Sequence, residues 1–348
     1  LAKAEALALR AYANFYLVNV YAHQVKVNGT DFSSKPGIVL VNEPIEALTE
    51  VSRSTVGEAY SSIVSDLNQA ISLFKQVGDR GQKIYMNLAG AEGLLARVSL
   101  YMENWADAAK YAQDALNDGG NPALAYTADN FKALYANSTS NSESFFQNAI
   151  NATTNWSANS AGTLWSTYNF SPSPYLKSLF AEGDARTAVM EMGANNTDAV
   201  PVYNAGKFHH YESNNSAYQT NYLINAPEMH LIIAEANAKQ GNTAAAKEAL
   251  LVVAKRNPAI TSVDDIKGDV MQFIKEERAR ELFQEGHRLW DLRRWGDKVS
   301  VSAYAAPAIN YSYKNYDISE LVFPIPVAEI NAGFGVTQNE EWPNVMPK

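Results

Sequence analysis

The chain has 348 residues, of which 47% are hydrophobic and 19% are charged, the ordinary balance of a globular protein. Its net charge of −9 argues against a nucleic-acid partner, because phosphate backbones attract basic surfaces. No run of the sequence approaches the roughly 18 consecutive apolar residues that span a bilayer. The sequence contains no cysteine, which excludes disulfides, thiolate zinc sites and cysteine nucleophiles.

The chain opens on a helix that we predict over Leu1 to Val20, from apolar residues spaced three and four apart. No start methionine, signal peptide or capping residue precedes it, so we expect that the natural N-terminus lies before Leu1. An insertion follows from Gln24 to Pro44, in which Asn28-Gly29 and Pro36-Gly37 are typical of a loop or a short hairpin.

The next helix is marked by a capping box, in which Thr55 is followed three residues later by Glu58. This helix should run to about Phe74. Its inward face is predicted from the same helical spacing: Val56, Tyr60, Ile63, Leu67, Ala70 and Phe74. Two further helices are predicted over Tyr85 to Met102 and Trp105 to Asn117, joined by a short turn.

Two segments fit the pattern of tetratricopeptide helix pairs, in which small residues let antiparallel helices approach closely. Ala96 and Ala108 occupy the close-contact positions of the first pair, and Ala234 and Ala246 those of the second, between Pro227 and Pro258. The two pairs are separated by far more than the roughly 34 residues of a tandem repeat. The sequence therefore predicts a helical scaffold interrupted by a long insertion.

That insertion runs from Asn137 to Asn225, and we call it the aromatic insert. It is rich in aromatic residues and asparagine and poor in charge. Little of it has helical periodicity, apart from a short helix predicted around Pro174 to Phe180. Long ordered loops of this kind usually carry function.

The tail from Tyr304 to Lys348 is rich in proline and tyrosine. Pro324 prevents the segment from Leu321 to Pro326 from being a central strand, because proline cannot donate to a ladder. We expect this segment to lie across the helices.

The stretch from Glu276 to Gly296 fits one helix, or two helices broken near Gly286. Ion pairs are expected between Arg278 and Glu281 and between Asp291 and Arg294. The run reads Glu277-Arg278-Ala279-Arg280-Glu281-Leu282-Phe283-Gln284-Glu285-Gly286-His287-Arg288-Leu289-Trp290-Asp291-Leu292-Arg293-Arg294-Trp295-Gly296. It resembles the hallmark of the SusD/RagB family, the surface glycan-binding lipoproteins of Bacteroidetes. Further segments agree in the family's order: Leu9 to Tyr12, Leu95 to Trp105, Ala234 to Gly241 and Phe323 to Asn331.

The resemblance implies a mainly α, SusD-like fold, in which tetratricopeptide-like helix pairs form a scaffold with long irregular loop insertions. We expect a single domain over residues 1–348, with the scaffold at 1–23, 54–136 and 226–300. The loop insertions are then 24–53 and 137–225, and an extended C-terminal segment covers 304–348.

The resemblance also implies a non-catalytic protein that binds oligosaccharide or polysaccharide and delivers it to a TonB-dependent, SusC-like transporter. It implies a position on the cell surface, at the outer membrane, through a lipidated cysteine in a segment before Leu1. No cofactor is expected. Three alternatives stay open: peptide binding of the RagB type, a helical protein-interaction adaptor without sugar binding, and an enzyme that cleaves a polysaccharide.

Sugar sites combine aromatic platforms with amide and carboxylate partners. The aromatic insert has that composition, and we predict ligand-binding roles for six of its residues: Trp156, Trp165, Tyr168, Tyr203, Tyr211 and Tyr218. Asn28 and Asp31 are added from the first insertion, although both are ordinary turn residues. The alternative is that the aromatic residues form the insert's own core.

Metal and catalytic sites are weighed against plainer interpretations. His209, His210 and Glu212 suggest a metal site, but adjacent histidines on a loop point apart, so we expect them on the solvated surface. His287 is expected to be a structural histidine beside Glu285 and Asp291. A glycosidase needs two carboxylates across a sugar cleft, and no pair stands out among the acids of the insert: Glu143, Glu182, Asp184, Glu191, Asp198 and Glu212.

Overall fold

The computed structural model describes residues 1–46, 48–167, 172–190, 206–218, 220–301, 313–318 and 321–339. These residues are mainly helical, which confirms the predicted fold class. The helices are α1 (Ala2–Tyr21), α2 (Val56–Val77), α3 (Leu88–Tyr101), α4 (Trp105–Asp118), α5 (Ala128–Ala133), α6 (Ala161–Thr167), α7 (Pro174–Ser178), α8 (Thr187–Met190), α9 (Ala226–Lys239), α10 (Thr243–Ala254), α11 (Val270–Glu281), α12 (Arg288–Trp295) and α13 (Val327–Asn331). Three antiparallel strand pairs are β1 (Lys26–Val27) with β2 (Thr30–Asp31), β3 (Ser144–Asn148) with β4 (Asn221–Asn225), and β5 (Lys298–Val301) with β6 (Tyr313–Asp317).

The long helices form an array in which each packs on the next. α1 packs on α2, α2 on α3, α3 on α4, α4 on α9, and α9 on both α10 and α11. The predicted helix pairs are α3 with α4 and α9 with α10. The four alanines at their close-contact positions are fully buried: Ala96, Ala108, Ala234 and Ala246. Because α4 contacts α9, the two pairs join into one scaffold although the aromatic insert separates them in sequence.

Helix α2 begins with the capping box that the sequence predicts. Thr55 Oγ1 accepts a hydrogen bond from Glu58 N at 3.1 Å, and Thr55 N donates to Glu58 Oε2 at 2.8 Å. These bonds satisfy the backbone N–H groups of Thr55 and Glu58, which have no acceptor within the helix. The predicted inward face of α2 is buried throughout, from Val56 to Phe74.

Strands β3 and β4 close the base of the aromatic insert. Their register runs from Ser144 opposite Asn225 to Asn148 opposite Asn221, so the two ends of the insert meet. Gly93 of α3 lies so close to Ile224 of β4 that a β-carbon on this glycine would overlap the isoleucine side chain. The insert is therefore seated directly against the scaffold.

The aromatic insert contributes to a second, smaller hydrophobic core. This core consists of Ala125, Phe131, Leu134, Tyr135, Ala185, Val189, Met190 and Tyr222. Between β3 and β4, the described residues form short helices and turns, including α7 at the position predicted around Pro174. The insert thus buries part of its aromatic content, as the alternative interpretation of its composition expects.

The stretch that carries the family resemblance is two helices, α11 and α12, which confirms the broken arrangement. Gly286 lies in the intervening turn with φ of 80°, a left-handed conformation that glycine adopts without steric cost. Asp291 pairs with Arg294 as predicted, with Oδ1 2.8 Å from Nη2.

The predicted pair of Arg278 with Glu281 is wrong. Arg278 binds Asp291 on α12, with Nε 2.8 Å from Oδ2. Glu281 instead accepts from two other guanidinium groups, those of Arg186 and Arg256. Helical spacing places neighbours on one surface, but both side chains here are buried and face partners on other elements.

The shorter segments follow the sequence expectations. Asn28-Gly29 forms the turn of the β1–β2 hairpin. Residues 321–326 form neither helix nor strand, and Phe323 N donates to Val20 O at 3.2 Å, so this segment lies against the end of α1. Within the described ranges, no helix has the length and hydropathy needed to cross a membrane.

Candidate functional site

Trp156 is the most exposed large hydrophobic side chain of the aromatic insert within the described residues, with 71% of its surface open to solvent. It lies between β3 and α6, just before a 3-10 turn at Ser157–Asn159. A fully packed tryptophan hides a large apolar area, so an indole held in solvent leaves that area available for a ligand. Its flat face suits the CH face of a sugar ring.

The turn that presents Trp156 is built by asparagine side chains. Asn155 Nδ2 donates to Ala152 O at 2.8 Å, while Asn155 Oδ1 accepts from Ser157 N at 2.9 Å. Ser157 has φ of 48°, a conformation that costs a non-glycine residue about 1 kcal/mol. The asparagine bonds offset this strain and fix the backbone on both sides of the indole.

Trp165, predicted as a second platform, lies in a packed position. It is half-buried on α6, and its ring meets Phe283 edge-on with centroids 5.6 Å apart. Phe208 contacts the same indole at 6.3 Å. Trp165 therefore packs against neighbouring aromatic side chains, whereas Trp156 is open to solvent.

Tyr211 and Tyr218 are also half-buried. The Tyr211 hydroxyl donates to Gly206 O at 3.2 Å and its ring packs against the second core. Tyr218 lies beside the ring of His210, at 6.3 Å between centroids. Two other predicted ligand residues, Tyr168 and Tyr203, lie outside the described residues.

The candidates in the first insertion serve the β1–β2 hairpin. Asn28 has φ of 46°, and its backbone N donates to Arg294 O at 3.1 Å. Asp31 Oδ1 accepts from Ser33 N at 2.7 Å, and the hydrogen bonds from Ser33 lower the pKa of the carboxyl. Both side chains are exposed, but their contacts are those of turn residues.

The expectation that His209 and His210 lie on the solvated surface is wrong, because both are buried. They do point apart: His209 Nε2 lies 3.0 Å from Asn214 Oδ1, and His210 Nε2 lies 3.1 Å from Thr220 Oγ1. The turn at 211–214 folds back on them, which sequence spacing does not reveal. No group of three metal-ligating side chains occurs in the part of the chain that the structure describes.

His287 is a buried structural histidine, as predicted, but its acidic neighbour differs. Nδ1 lies 3.8 Å from Oε1 of Glu228 on α9. Burial lowers the pKa of His287 to about 3, which outweighs the opposite effect of the Glu228 charge. The imidazole is therefore neutral at pH 7.

Buried ion pairs tie the aromatic insert to the scaffold, a feature that the sequence did not indicate. Arg186 of the insert is fully buried and contacts Glu277 of α11 at 2.6 Å and Asp184 at 2.7 Å. Lys207 contacts Glu285, with Nζ 2.5 Å from Oε1. These cations contact carboxylates of the α11–α12 region, so the stretch that carries the family resemblance also holds the insert in place.

A second connection runs in the opposite sense, from an acid of the insert to a base of the scaffold. Glu143 accepts from Arg256 at 2.5 Å, and Arg256 also binds Glu281 at 2.9 Å. Arg256 additionally donates to Ala125 O at 2.6 Å. The only signal in the sequence is that charged residues occur within otherwise apolar segments, which does not identify partners so distant along the chain.

Sequence reasoning also missed Tyr175, which is 48% exposed on α7. The guanidinium carbon of Arg288 lies 5.7 Å from the centre of its ring. Pro174 at the start of α7 predicts the helix, but the face that Tyr175 occupies depends on how α7 docks beside α12.

Fold and candidate site together define a helical scaffold with a long insert, whose described residues include a tryptophan exposed to solvent. The sequence matches the family model described as "SusD family" over residues 117–342. A second model, described as "Starch-binding associating with outer membrane", matches residues 2–100. The chain therefore belongs to the SusD family.

Similar solved structures come from Bacteroides and share the fold. A SusD superfamily protein from Bacteroides vulgatus has a TM-score of 0.82 and 23% identity, covering 99% of this chain and 77% of the other. One from Bacteroides thetaiotaomicron has a TM-score of 0.80 and 23% identity, covering 97% and 77%. A SusD-like carbohydrate binding protein from Bacteroides vulgatus has a TM-score of 0.73 and 20% identity, covering 99% and 77%. The comparison with curated proteins found no match.

Proposed function

We propose that this protein binds oligosaccharide or polysaccharide at the bacterial cell surface without cleaving it, and that Trp156 is the principal platform. The observation that carries the proposal is the indole of Trp156, 71% exposed on a turn that asparagine side chains hold in place. Membership of the SusD family supports a carbohydrate ligand. The starch-binding and outer-membrane description of the model over residues 2–100 supports the ligand class and the location.

A binding role without hydrolysis is supported by the state of two of the insert's acids. Glu143 and Asp184 are buried and engaged by Arg256 and Arg186. A glycosidase needs one carboxyl that gives up a proton and another that attacks or activates water across an open cleft. Carboxylates that form buried ion pairs with arginine are poorly suited to donating a proton, attacking the sugar or activating water.

Calorimetric titration with soluble starch and with other bacterial and plant polysaccharides tests the proposal. We expect saturable binding of at least one polysaccharide by the wild-type protein. Trp156→Ala should weaken it by about 5- to 150-fold, because stacking on an aromatic side chain contributes roughly 1–3 kcal/mol. Tyr85→Ala is the matched control, since Tyr85 is an exposed aromatic residue outside the insert.

Equal polysaccharide affinity of Trp156→Ala and the wild type would overturn the platform assignment. A heat of binding that is measured with peptide mixtures but with none of the polysaccharides would favour the peptide-binding alternative. Release of reducing ends during incubation with a bound polysaccharide would overturn the absence of catalysis. Retention of all ligand binding in the Trp156 and Trp165 alanine variants would favour the helical adaptor.

We further propose that the protein delivers its ligand to a TonB-dependent transporter that packs against the scaffold, and that a lipid anchor precedes Leu1. Exposed apolar side chains occur along one side of α1, at Leu9, Tyr16 and Leu17. Their spacing of seven and eight residues keeps them on one helical face. Such a face suits a protein interface better than a sugar. Loss of transporter co-purification in a Leu9→Glu, Leu17→Glu variant that still binds polysaccharide is the expected result.

A further inference from the structure

A cavity of about 340 Å³ lies between α7 and the turn that joins α11 to α12. Its volume falls within the range of about 300–1,000 Å³ that small-molecule sites occupy. Apolar side chains cover part of its wall, among them Leu176, Leu282 and Phe283. Tyr175 stands at the wall with nearly half of its surface exposed.

Two arginines give this cavity its chemical character. Arg278 and Arg288 both line it, and the described lining residues include no carboxylate. Nη1 of each arginine is buried, and no residue in the described ranges accepts a hydrogen bond from it. A buried donor on a charged group that lacks an acceptor is energetically costly, so such groups usually have a partner.

The two guanidinium groups differ in how far they are neutralised. Arg278 is 1% exposed and holds Asp291 through Nε and Nη2, which leaves Nη1 as its remaining unpaired end. Arg288 is half-buried and makes no salt bridge with any described residue, and its ring neighbour is Tyr175. His287, also in the wall, is neutral at pH 7. Among the residues that the structure describes, the positive charge of Arg288 is therefore not compensated by a carboxylate.

The start of α12 adds to this positive potential. His287 is the N-cap residue, and in the described structure its side chain makes no capping bond. The first backbone N–H groups of a helix lack intrahelical acceptors and carry partial positive charge. His287, Arg288 and Leu289 line the cavity, so this helix end borders the same space as the two arginines.

We propose that this cavity binds the anionic group of an acidic sugar, with Arg288 and Arg278 as its donors and Tyr175 as the platform for the sugar ring. The guanidinium fork matches a carboxylate or sulfate, which accepts hydrogen bonds in the plane of the donors. The cavity is distinct from the Trp156 surface, although Phe283 contacts both its wall and the ring of Trp165 in the insert. The inference rests on the proposed function only for the sugar class of its ligand.

Calorimetry of the whole chain at pH 7 tests the proposal with four probes: glucuronate, glucose 6-sulfate, glucose and acetate. Glucuronate should bind at least tenfold more tightly than glucose, because glucuronate supplies an anionic acceptor for the arginines whereas glucose supplies only hydroxyl groups. It should also bind at least tenfold more tightly than acetate, which lacks a ring for Tyr175. The sulfate arm shows which acidic group the cavity prefers.

Arg288→Gln should weaken glucuronate binding at least tenfold, and Tyr175→Ala should weaken it at least threefold. Arg80→Gln is the matched control, because it removes an exposed arginine that pairs with Glu5 away from the cavity. Thermal unfolding of each variant verifies the fold. Should Arg288→Gln not fold, Tyr175→Ala and the four-probe comparison on the wild type still decide the matter.

The proposal is overturned if glucuronate binds no better than glucose or acetate, or if Arg288→Gln binds it as the wild type does. Trp156→Ala distinguishes this failure from failure of the glycan platform, since it should leave glucuronate affinity within twofold. Glucuronate binding without any polysaccharide binding would reject the platform and keep the cavity. Polysaccharide binding without glucuronate binding would reject the acidic-sugar site in the cavity and keep the Trp156 platform.

Discussion

The helical scaffold and the aromatic insert are stabilised by different interactions. In the scaffold, α2, α3, α4 and α9 bury aliphatic faces, and alanines at the contact points allow the helices to approach closely. The insert has a small core and relies on buried charges, with Arg186, Lys207 and Glu143 bound to partners on the scaffold.

This difference explains how a long insert with only short helices keeps a defined position and orientation on the scaffold. Apolar contacts are non-directional, so they tolerate small shifts of position. Hydrogen-bonded guanidinium–carboxylate pairs fix both distance and orientation, and they lose much energy when one partner is missing. The scaffold is stabilised by its large buried apolar area, whereas the insert is oriented by a few buried charged groups.

The largest predicted effect is on the charged attachment of the insert. Arg186→Met should lower the free energy of unfolding by about 3–5 kcal/mol, because Asp184, Glu277 and Glu281 would remain buried without this cation. Chemical denaturation measures the loss, and hydrogen exchange should show faster opening of the insert than of α2.

The control for this prediction is Arg80→Met, which breaks an exposed pair with Glu5. It should lower the free energy of unfolding far less than Arg186→Met does, because solvent screens an exposed ion pair. Similar losses in the two variants would mean that charge does not hold the insert.

The next effect separates the two tryptophans of the insert. Trp165→Ala should destabilise the protein by about 2 kcal/mol, less than the 3–5 kcal/mol of a fully buried aromatic, because Trp165 is half-buried against Phe208 and Phe283. Trp156→Ala should change stability by less than about 0.5 kcal/mol. Urea denaturation of both variants measures the difference, and an equal loss would contradict the distinction between support and platform.

The smallest effect concerns acid sensitivity at the α11–α12 junction. Burial lowers the pKa of His287 from 6.5 to about 3. Between these two pH values the imidazole is protonated in the unfolded chain but neutral in the folded protein. Stability from this group is complete above pH 6.5 and falls as the pH drops toward 3, by up to about 1.4 kcal/mol per pH unit. The unfolding free energy of the wild type should therefore fall relative to His287→Gln between pH 6.5 and 5. A difference that is independent of pH would show that the imidazole is accessible to protons.

Much of the scaffold was predictable because its signals are local. The Thr55 and Glu58 cap, the inward face of α2 and the close-contact alanines all depend on residues within a few turns of one another. The stretch Glu277 to Gly296 predicts the family before any contact is known, and the match to the family model over residues 117–342 confirms it.

The candidate site was predictable as a region and not residue by residue. Composition indicates the aromatic insert, but only packing separates the exposed Trp156 from the supporting Trp165 and reveals Tyr175 on α7. The burial of His209 and His210 depends on a turn that folds back over them.

The sequence by itself determined the long helices of the scaffold, the capping box, the location of the insert and the family. Tertiary structure alone decided that Arg278 binds Asp291 while Glu281 binds Arg186 and Arg256, and that Arg278 and Arg288 meet in one cavity. Helical periodicity states which face of an element is apolar, because it depends on neighbours one turn away. The partner of a buried charge is set by how separate elements dock, and residues some ninety positions apart, such as Arg186 and Glu277, carry no mark of each other in the sequence.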